Sequence, residues 1–113
     1  MEEIYELIHR LGIRRTYTGY HHLATAVHLV VENEERLLYI HKWLYEEVAS
    51  NHHTTPFCVE RNIRTVKDHF WEKGNKKILS EIAGCPIEEK PSNSEFIDIL
   101  SCYIKKQIQS NIS

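Results

Sequence analysis

The sequence has few of the features that mark secreted, membrane-spanning or disordered proteins. Its three cysteines, Cys58, Cys85 and Cys102, are odd in number and far apart, which argues against a disulfide framework. No apolar run approaches the roughly 20 residues that a transmembrane helix needs, and the acidic start lacks the basic flank and apolar run of a signal peptide. Because 42% of the 113 residues are hydrophobic and no segment is low in complexity, we expect one folded, cytoplasmic domain over residues 1–113.

Motifs for catalysis and for metal binding are also missing. The sequence has no G-x-S-x-G turn, no glycine-rich phosphate loop, and neither C-x-x-C nor H-E-x-x-H. We therefore expect no enzyme activity, no bound metal and no cofactor. His52 and His53 are interpreted as residues of a turn, since histidine tolerates a positive φ better than most residues. His21 and His22 are interpreted as surface residues of a helix.

Charge is distributed unevenly, although the formal net charge is only −2. Residues 1–51 carry five basic and eight acidic side chains, and residues 79–113 carry three and five. Residues 52–78 carry six basic and three acidic side chains, so the positive excess is confined to this segment. This pattern favours a protein that contacts nucleic acid through one face, with modest non-specific affinity.

Hydrophobic periodicity predicts an all-α fold, a compact single-domain bundle of about six helices. The predicted helices cover residues 2–11, about 18–33, about 33–48, 56–73, 76–83 and a last helix that begins near Ser92. Ser92 and Glu95 form an S-x-x-E capping box at the start of that last helix. Gly12 is expected to end the first helix.

Two of these helices fit a helix-turn-helix over about residues 44–73. The second has one apolar stripe at intervals of 4, 3 and 4, made by Val59, Ile63, Val66 and Phe70. Thr55 and Pro56 supply its start, a capping hydroxyl followed by a ring fixed at helical φ. Ala49 in the first helix is small enough for close crossing and stands ten residues before Val59. In such a motif the second helix enters the DNA major groove.

The strongest candidates for DNA contact lie opposite the apolar stripe. At about 100° per residue, Arg61 and Arg64 fall on that outer face. A guanidinium can donate two hydrogen bonds to guanine O6 and N7, which discriminates by about 1–3 kcal/mol. Glu60 can accept from a cytosine amine or orient Arg61. The alternative is that both arginines are solvated and contact nothing.

The predicted DNA-binding set contains five further residues. They are Thr55, Phe57, Thr65, Lys73 and Lys76. Lys73 and Lys76 can hold phosphates that flank the groove, or can be solvated. By the same angle count Phe57 points to the DNA side. It can pack on a thymine methyl group, contact a protein partner, or tuck sideways into the turn.

Several segments resemble a known family. In and just after the second helix they are Val59-Glu60-Arg61, Ile63-Arg64 and Trp71 with Gly74-Asn75, and downstream the run KPSNSEFI at residues 90–97. Upstream they include Ile8-His9, Gly12, Gly19-Tyr20, Leu44-Tyr45, Ala49 and Thr54-Thr55. These segments resemble the C-terminal DNA-binding effector domain of the sporulation initiation factor, a response regulator. The resemblance implies a transcription regulator of sporulation that binds double-stranded DNA as a homodimer or head-to-tail pair. It also places Glu60, Arg61 and Arg64 at positions where that family contacts DNA.

The chain departs from the family at the front of the second helix, where Pro56, Phe57 and Cys58 replace small, polar and basic residues. Loss of a basic residue at Cys58 predicts a different target site or weaker affinity. A second hypothesis is therefore a protein-interaction module, or antagonist of the full-length regulator, that has lost DNA binding and meets its partner through Phe57. Because residue 1 already lies in the effector-like region, we expect control by something other than a receiver domain in this chain.

Overall fold

The computed structural model describes residues 1–112, which form helices joined by short connections. The six α-helices are α1 (Glu2–Arg10), α2 (Thr18–Glu32), α3 (Glu46–Asn51), α4 (Pro56–Lys73), α5 (Lys76–Ala83) and α6 (Asn93–Ile112). Across residues 1–112 there is no strand, so the predicted all-α fold is confirmed. None of the helices in this range is long and apolar enough to cross a membrane.

Helix α2 lies at the centre of the molecule and packs against α1, α4 and α6. Its inward face is fully buried and includes Tyr20, Leu23, Ala24, Ala26 and Val27. At its start Gly19 lies so close to α4 that a Cβ atom would collide with the backbone oxygen of Asn62 and the side chain of Val66. This close approach fixes one side of α4 against the core, so that its other side faces outward.

The loop after α1 meets the end of α4. Gly12 ends α1 as predicted, with φ +89°. The Gly12 backbone lies against Gly74 at the end of α4. A Cβ at Gly74 would meet the backbone oxygens of both Phe70 and Leu11, and the Asn75 N–H donates to Leu11 O at 3.4 Å. Residues that follow Gly12 are therefore held beside the last turns of α4.

The segment between α2 and α3 differs from the prediction of one helix over about 33–48. It contains a 3₁₀ turn, Glu34–Leu37, and a π-helical segment, Ile40–Tyr45. Asn33 adopts an extended conformation and its Oδ1 accepts from the Glu35 N–H at 3.0 Å, which starts a new turn and ends α2. Two consecutive residues at the end of the π-helical segment, Leu44 and Tyr45, reach the core, where each is at most 1% exposed.

Candidate nucleic-acid interface

The turn between α3 and α4 has the backbone that the histidine pair predicted. His53 has φ +54°, and the Thr54 N–H donates to the Ala49 oxygen at 3.0 Å. Thr55 is extended, and its Oγ1 accepts from the Cys58 N–H at 3.2 Å, so the predicted N-cap is confirmed. Helix α4 therefore begins sharply after a four-residue connection, in a helix-turn-helix arrangement with α3.

The apolar stripe of α4 is buried, as the periodicity predicted. Its four residues, Val59, Ile63, Val66 and Phe70, are between 0% and 4% exposed. Arg61 and Arg64 are both exposed on the outward side. Because Arg61, Arg64 and Thr65 are all exposed, no other part of the described chain covers this side of α4.

Arg64 is paired within its own helix. Its Nη1 lies 2.6 Å from Oε1 of Glu60, one turn earlier, while 49% of the Arg64 side chain stays exposed. Glu60 thus orients Arg64, whereas the sequence suggested Arg61 as its neighbour. Exposed pairs at this spacing stabilise a helix by only about 0.3–0.5 kcal/mol. Arg64 can therefore exchange this carboxylate for a base or phosphate at little cost.

Arg61 has a different neighbour, the ring of Phe57. The guanidinium carbon lies 5.6 Å from the ring centroid, a cation–π contact that stabilises exposed sites by about 0.5–1 kcal/mol. Phe57 is 67% exposed, so it does not tuck into the turn, and two of its three predicted roles remain. Within residues 1–112 no carboxylate pairs with Arg61, whose charge is therefore directed to solvent.

The other predicted contact residues divide by position. Thr65 is exposed, but its hydroxyl donates to the Arg61 carbonyl at 2.9 Å. Lys73 is exposed in the last turn of α4, and Lys76 begins α5 with its Nζ 4.6 Å over the Trp71 ring. Along α4 the residues at intervals of four form one exposed row, which consists of Phe57, Arg61, Thr65, His69 and Lys73. The structure thus brings three predicted residues besides Arg61 into one row, with His69 as an unpredicted member.

Not all of the positive charge in residues 52–78 reaches the surface. Lys67 is only 6% exposed, and burial lowers the pKa of its ammonium group. Its Nζ lies 3.7 Å from Asp68, whose carboxylate also meets Lys90 at 3.3 Å. Through these contacts Asp68 joins α4 to the segment before α6. The outward positive charge of α4 is therefore smaller than the sequence count indicated.

The interpretation of His22 as a surface residue is wrong. His22 is 4% exposed, and its ring meets that of His52 edge to face with centroids 4.9 Å apart. His52 Nε2 is 2.8 Å from Thr25 Oγ1, and Asn62 of α4 is 3.4 Å from His22 Nδ1. The missed signal was helical spacing, because His22 precedes the buried Ala26 and Leu29 by four and seven residues.

These histidines link α2, the turn and α4. Burial is the main cause that lowers the pKa of both His22 and His52, and the neighbouring imidazoles add to it. In the part of the chain that the structure describes, no three histidine, cysteine or acidic side chains are grouped to hold a metal ion. The two rings pack against each other between α2 and the turn before α4.

The start of α6 is tied to both helices of the motif. The predicted capping box is confirmed: Ser92 N–H donates to Glu95 Oε1 at 3.0 Å, and Glu95 N–H donates to Ser92 Oγ at 3.2 Å. Hydrogen bonds that the Ser92 backbone and side chain make to the carboxylate lower the pKa of Glu95. Asn93, the next residue after Ser92, donates through Nδ2 to the Tyr45 hydroxyl and the Glu60 carbonyl, each at 3.2 Å.

Comparison with known families agrees with this arrangement. The family model described as "Sporulation initiation factor Spo0A C terminal" matches residues 4–104. The match covers most of the chain, including the helix-turn-helix and all eight predicted DNA-contact residues. It is a family of DNA-binding domains rather than enzymes, and the resemblance seen in the sequence is confirmed.

Proposed function

We propose that this chain, which belongs to the Spo0A C-terminal family of DNA-binding effector domains, is a sequence-specific transcription regulator that inserts α4 into the major groove. The observation that carries the proposal is that Arg61 is exposed and has no acidic partner within residues 1–112. It is exposed on the outer face of α4 and directs an unpaired guanidinium away from the core. A guanidinium in this position can donate to O6 and N7 of guanine.

Glu60 and Arg64 act as a unit beside Arg61. Their 2.6 Å ion pair holds Arg64 in one conformation in the free protein. On DNA the carboxylate of Glu60 accepts from a cytosine amine while Arg64 turns to a guanine or a phosphate. Because the pair is weak in solvent, this exchange costs little binding free energy.

The remaining candidates position the helix. Phe57 packs against a thymine methyl group at the front of α4, next to the base that Arg61 contacts. Thr55, Thr65, Lys73 and Lys76 lie along the edges and contact phosphates or sugars, which fixes register without reading sequence. Two copies bind adjacent sites in tandem, so the target site contains a direct repeat.

Selection of bound duplexes from a random pool tests this function. We expect an enriched site, and we expect Arg61→Ala to relax preference at one base pair by about 1–3 kcal/mol. Lys106→Ala is the matched control, because Lys106 is an exposed cation on α6 and lines a groove with Glu3 and Glu6. Failure of the wild-type chain to bind any duplex at low salt overturns the proposal.

A second candidate is a protein-interaction module that meets the full-length regulator through Phe57. The observation that favours it is the 67% exposure of an aromatic ring at the tip of the motif, because such rings are enriched at protein interfaces. In this case Phe57→Ser abolishes co-purification with the regulator, and Arg61→Ala changes nothing. An enriched duplex together with sensitivity to Arg61→Ala excludes this alternative.

A further inference from the structure

A cleft beside the last turns of α4 brings Arg14, which the predicted contact set does not include, together with Lys73, which it does include. It is lined by Gly12, Arg14, Tyr17, His69, Lys73 and Gly74, and we call it the connector cleft. Within residues 1–112 no acidic side chain lines it. Arg14 and Lys73 are exposed, and neither has an ion-pair partner within residues 1–112.

The cleft is held together by contacts that do not occupy its cations. The Tyr17 hydroxyl lies 3.5 Å from Nε2 of His69, and the two rings meet edge to face at 5.5 Å. Gly12 and Gly74 bring the loop after α1 against the end of α4, as described above. Arg14 and Lys73, which are distant in sequence, thus line one concave surface, and no acidic side chain within residues 1–112 neutralises them there. Such a surface is suited to a ligand that brings its own negative charge.

The position of the cleft along α4 identifies the ligand. Arg61, Thr65, His69 and Lys73 form one exposed row, inclined at about 26° to the helix axis. Arg61 and Lys73 are twelve residues apart, which is about 18 Å along a helix. The major groove is about 12 Å wide. When Arg61 contacts a base edge, the Lys73 end of the row therefore reaches the phosphates at the rim of the groove.

We propose that the connector cleft binds a phosphate of the DNA backbone at the rim of the major groove, with Arg14 and Lys73 as cationic ligands and the Tyr17 hydroxyl as a neutral donor. The inference rests on the proposed function and adds the loop between α1 and α2 as a second contact element. Arg14 supplies a fork of donors that matches phosphate oxygens, and Lys73 supplies a point charge. Both contacts position α4 without reading sequence.

The salt dependence of binding by the full chain tests this inference. The probe is the duplex enriched in the selection, together with a scrambled duplex, titrated from about 50 to 200 mM salt. We expect Arg14→Ala and Lys73→Ala each to lower the slope of log K against log salt by about 1. Each variant weakens binding to both duplexes by the same factor. Arg14→Lys keeps the slope, because the charge is retained, but binds less tightly than the wild type.

One control and one further variant separate the possible outcomes. Lys106→Ala, the control, removes the same charge at a site remote from the cleft. Tyr17→Phe removes the proposed neutral donor while keeping the ring beside His69, and should weaken binding without changing the slope. The inference is overturned if Arg14→Ala and Lys106→Ala bind alike while Arg61→Ala still relaxes base preference, and the proposed function then stands. If the wild-type chain binds no duplex, both are rejected. If inorganic phosphate binds the cleft but DNA binding ignores Arg14→Ala, the ligand is a free anion and the inference also fails.

Discussion

The carboxylate of Glu60 lies 2.6 Å from the guanidinium of Arg64, one turn further along the same helix. The two groups neutralise each other at the centre of the proposed DNA-binding face. Arg61, between them in sequence, is not part of this pair and instead lies over Phe57. Of the two arginines on the outer face of α4, Arg61 is therefore free to contact a ligand, whereas Arg64 must first leave its ion pair with Glu60.

Glu60→Gln is expected to tighten binding to DNA and to reduce its specificity. The substitution frees Arg64 and removes a negative charge that faces the phosphates, so the slope of log K against log salt increases in magnitude by up to about 1. Preference for cytosine at the position that Glu60 contacts falls. Loss of the exposed pair changes the free energy of unfolding by no more than about 0.5 kcal/mol. Fluorescence anisotropy and thermal unfolding measure the two effects.

Glu72→Gln is the matched control, because Glu72 is an exposed acid near the end of α4. Each variant removes one negative charge from the same helix. A loss of base preference in Glu60→Gln that is absent from Glu72→Gln supports the specific role of Glu60. Equal behaviour of the two variants contradicts it.

Much of the fold follows from local signals in the sequence. The bounds of α4 and α5 agree with the prediction, since Thr55 with Pro56 marks a start and Gly74 and Gly84 mark ends. Residues 33–48 were predicted wrongly because their shape depends on tertiary packing. Asn33 is extended and accepts from the Glu35 N–H, which interrupts the predicted helix at its start. A π-helical segment, Ile40–Tyr45, then precedes α3.

The outline of the candidate site was also predictable from local signals in the sequence. An angle of about 100° per residue is enough to place Arg61, Arg64 and Phe57 on the outer face of α4. It does not show which rotamer a long side chain selects, and therefore it missed the burial of Lys67. Nor can one helix reveal residues contributed by another part of the chain. Arg14 reaches the end of α4 only because the loop after α1 folds against it.

Asn93→Ala is expected to lower the free energy of unfolding by about 1–3 kcal/mol. Its side-chain amide donates to the Tyr45 hydroxyl and the Glu60 carbonyl, and truncation leaves both groups without that donor. Tyr45→Phe removes only one of the two bonds and should destabilise less than Asn93→Ala. Urea unfolding monitored by circular dichroism gives both values. A smaller loss for Asn93→Ala than for Tyr45→Phe contradicts the proposed bridge between α6 and the helix-turn-helix.

The contact between His22 and His52 is expected to make the protein less stable as the pH falls below about 7. Burial lowers the pKa of both imidazoles in the folded state, whereas an unfolded histidine titrates near 6.5. Between the lowered pKa values and 6.5 the unfolded chain binds more protons than the folded chain, so the free energy of unfolding increases with pH in this window. Above the window both states are neutral and these residues contribute no further change.

Urea unfolding over about pH 5–8 measures this dependence, with His22→Leu and His9→Gln as the informative pair. His22→Leu removes the buried imidazole and its repulsion of a protonated His52, and therefore flattens the profile below about pH 6.5. His9→Gln removes a histidine that is exposed on α1 and should leave the shape of the profile unchanged. Since His52 lies in the turn before α4 and Asn62 contacts His22, DNA binding should weaken together with stability at low pH. A profile for His22→Leu that is as steep as that of the wild type assigns the acid sensitivity to other groups and contradicts the role of the pair.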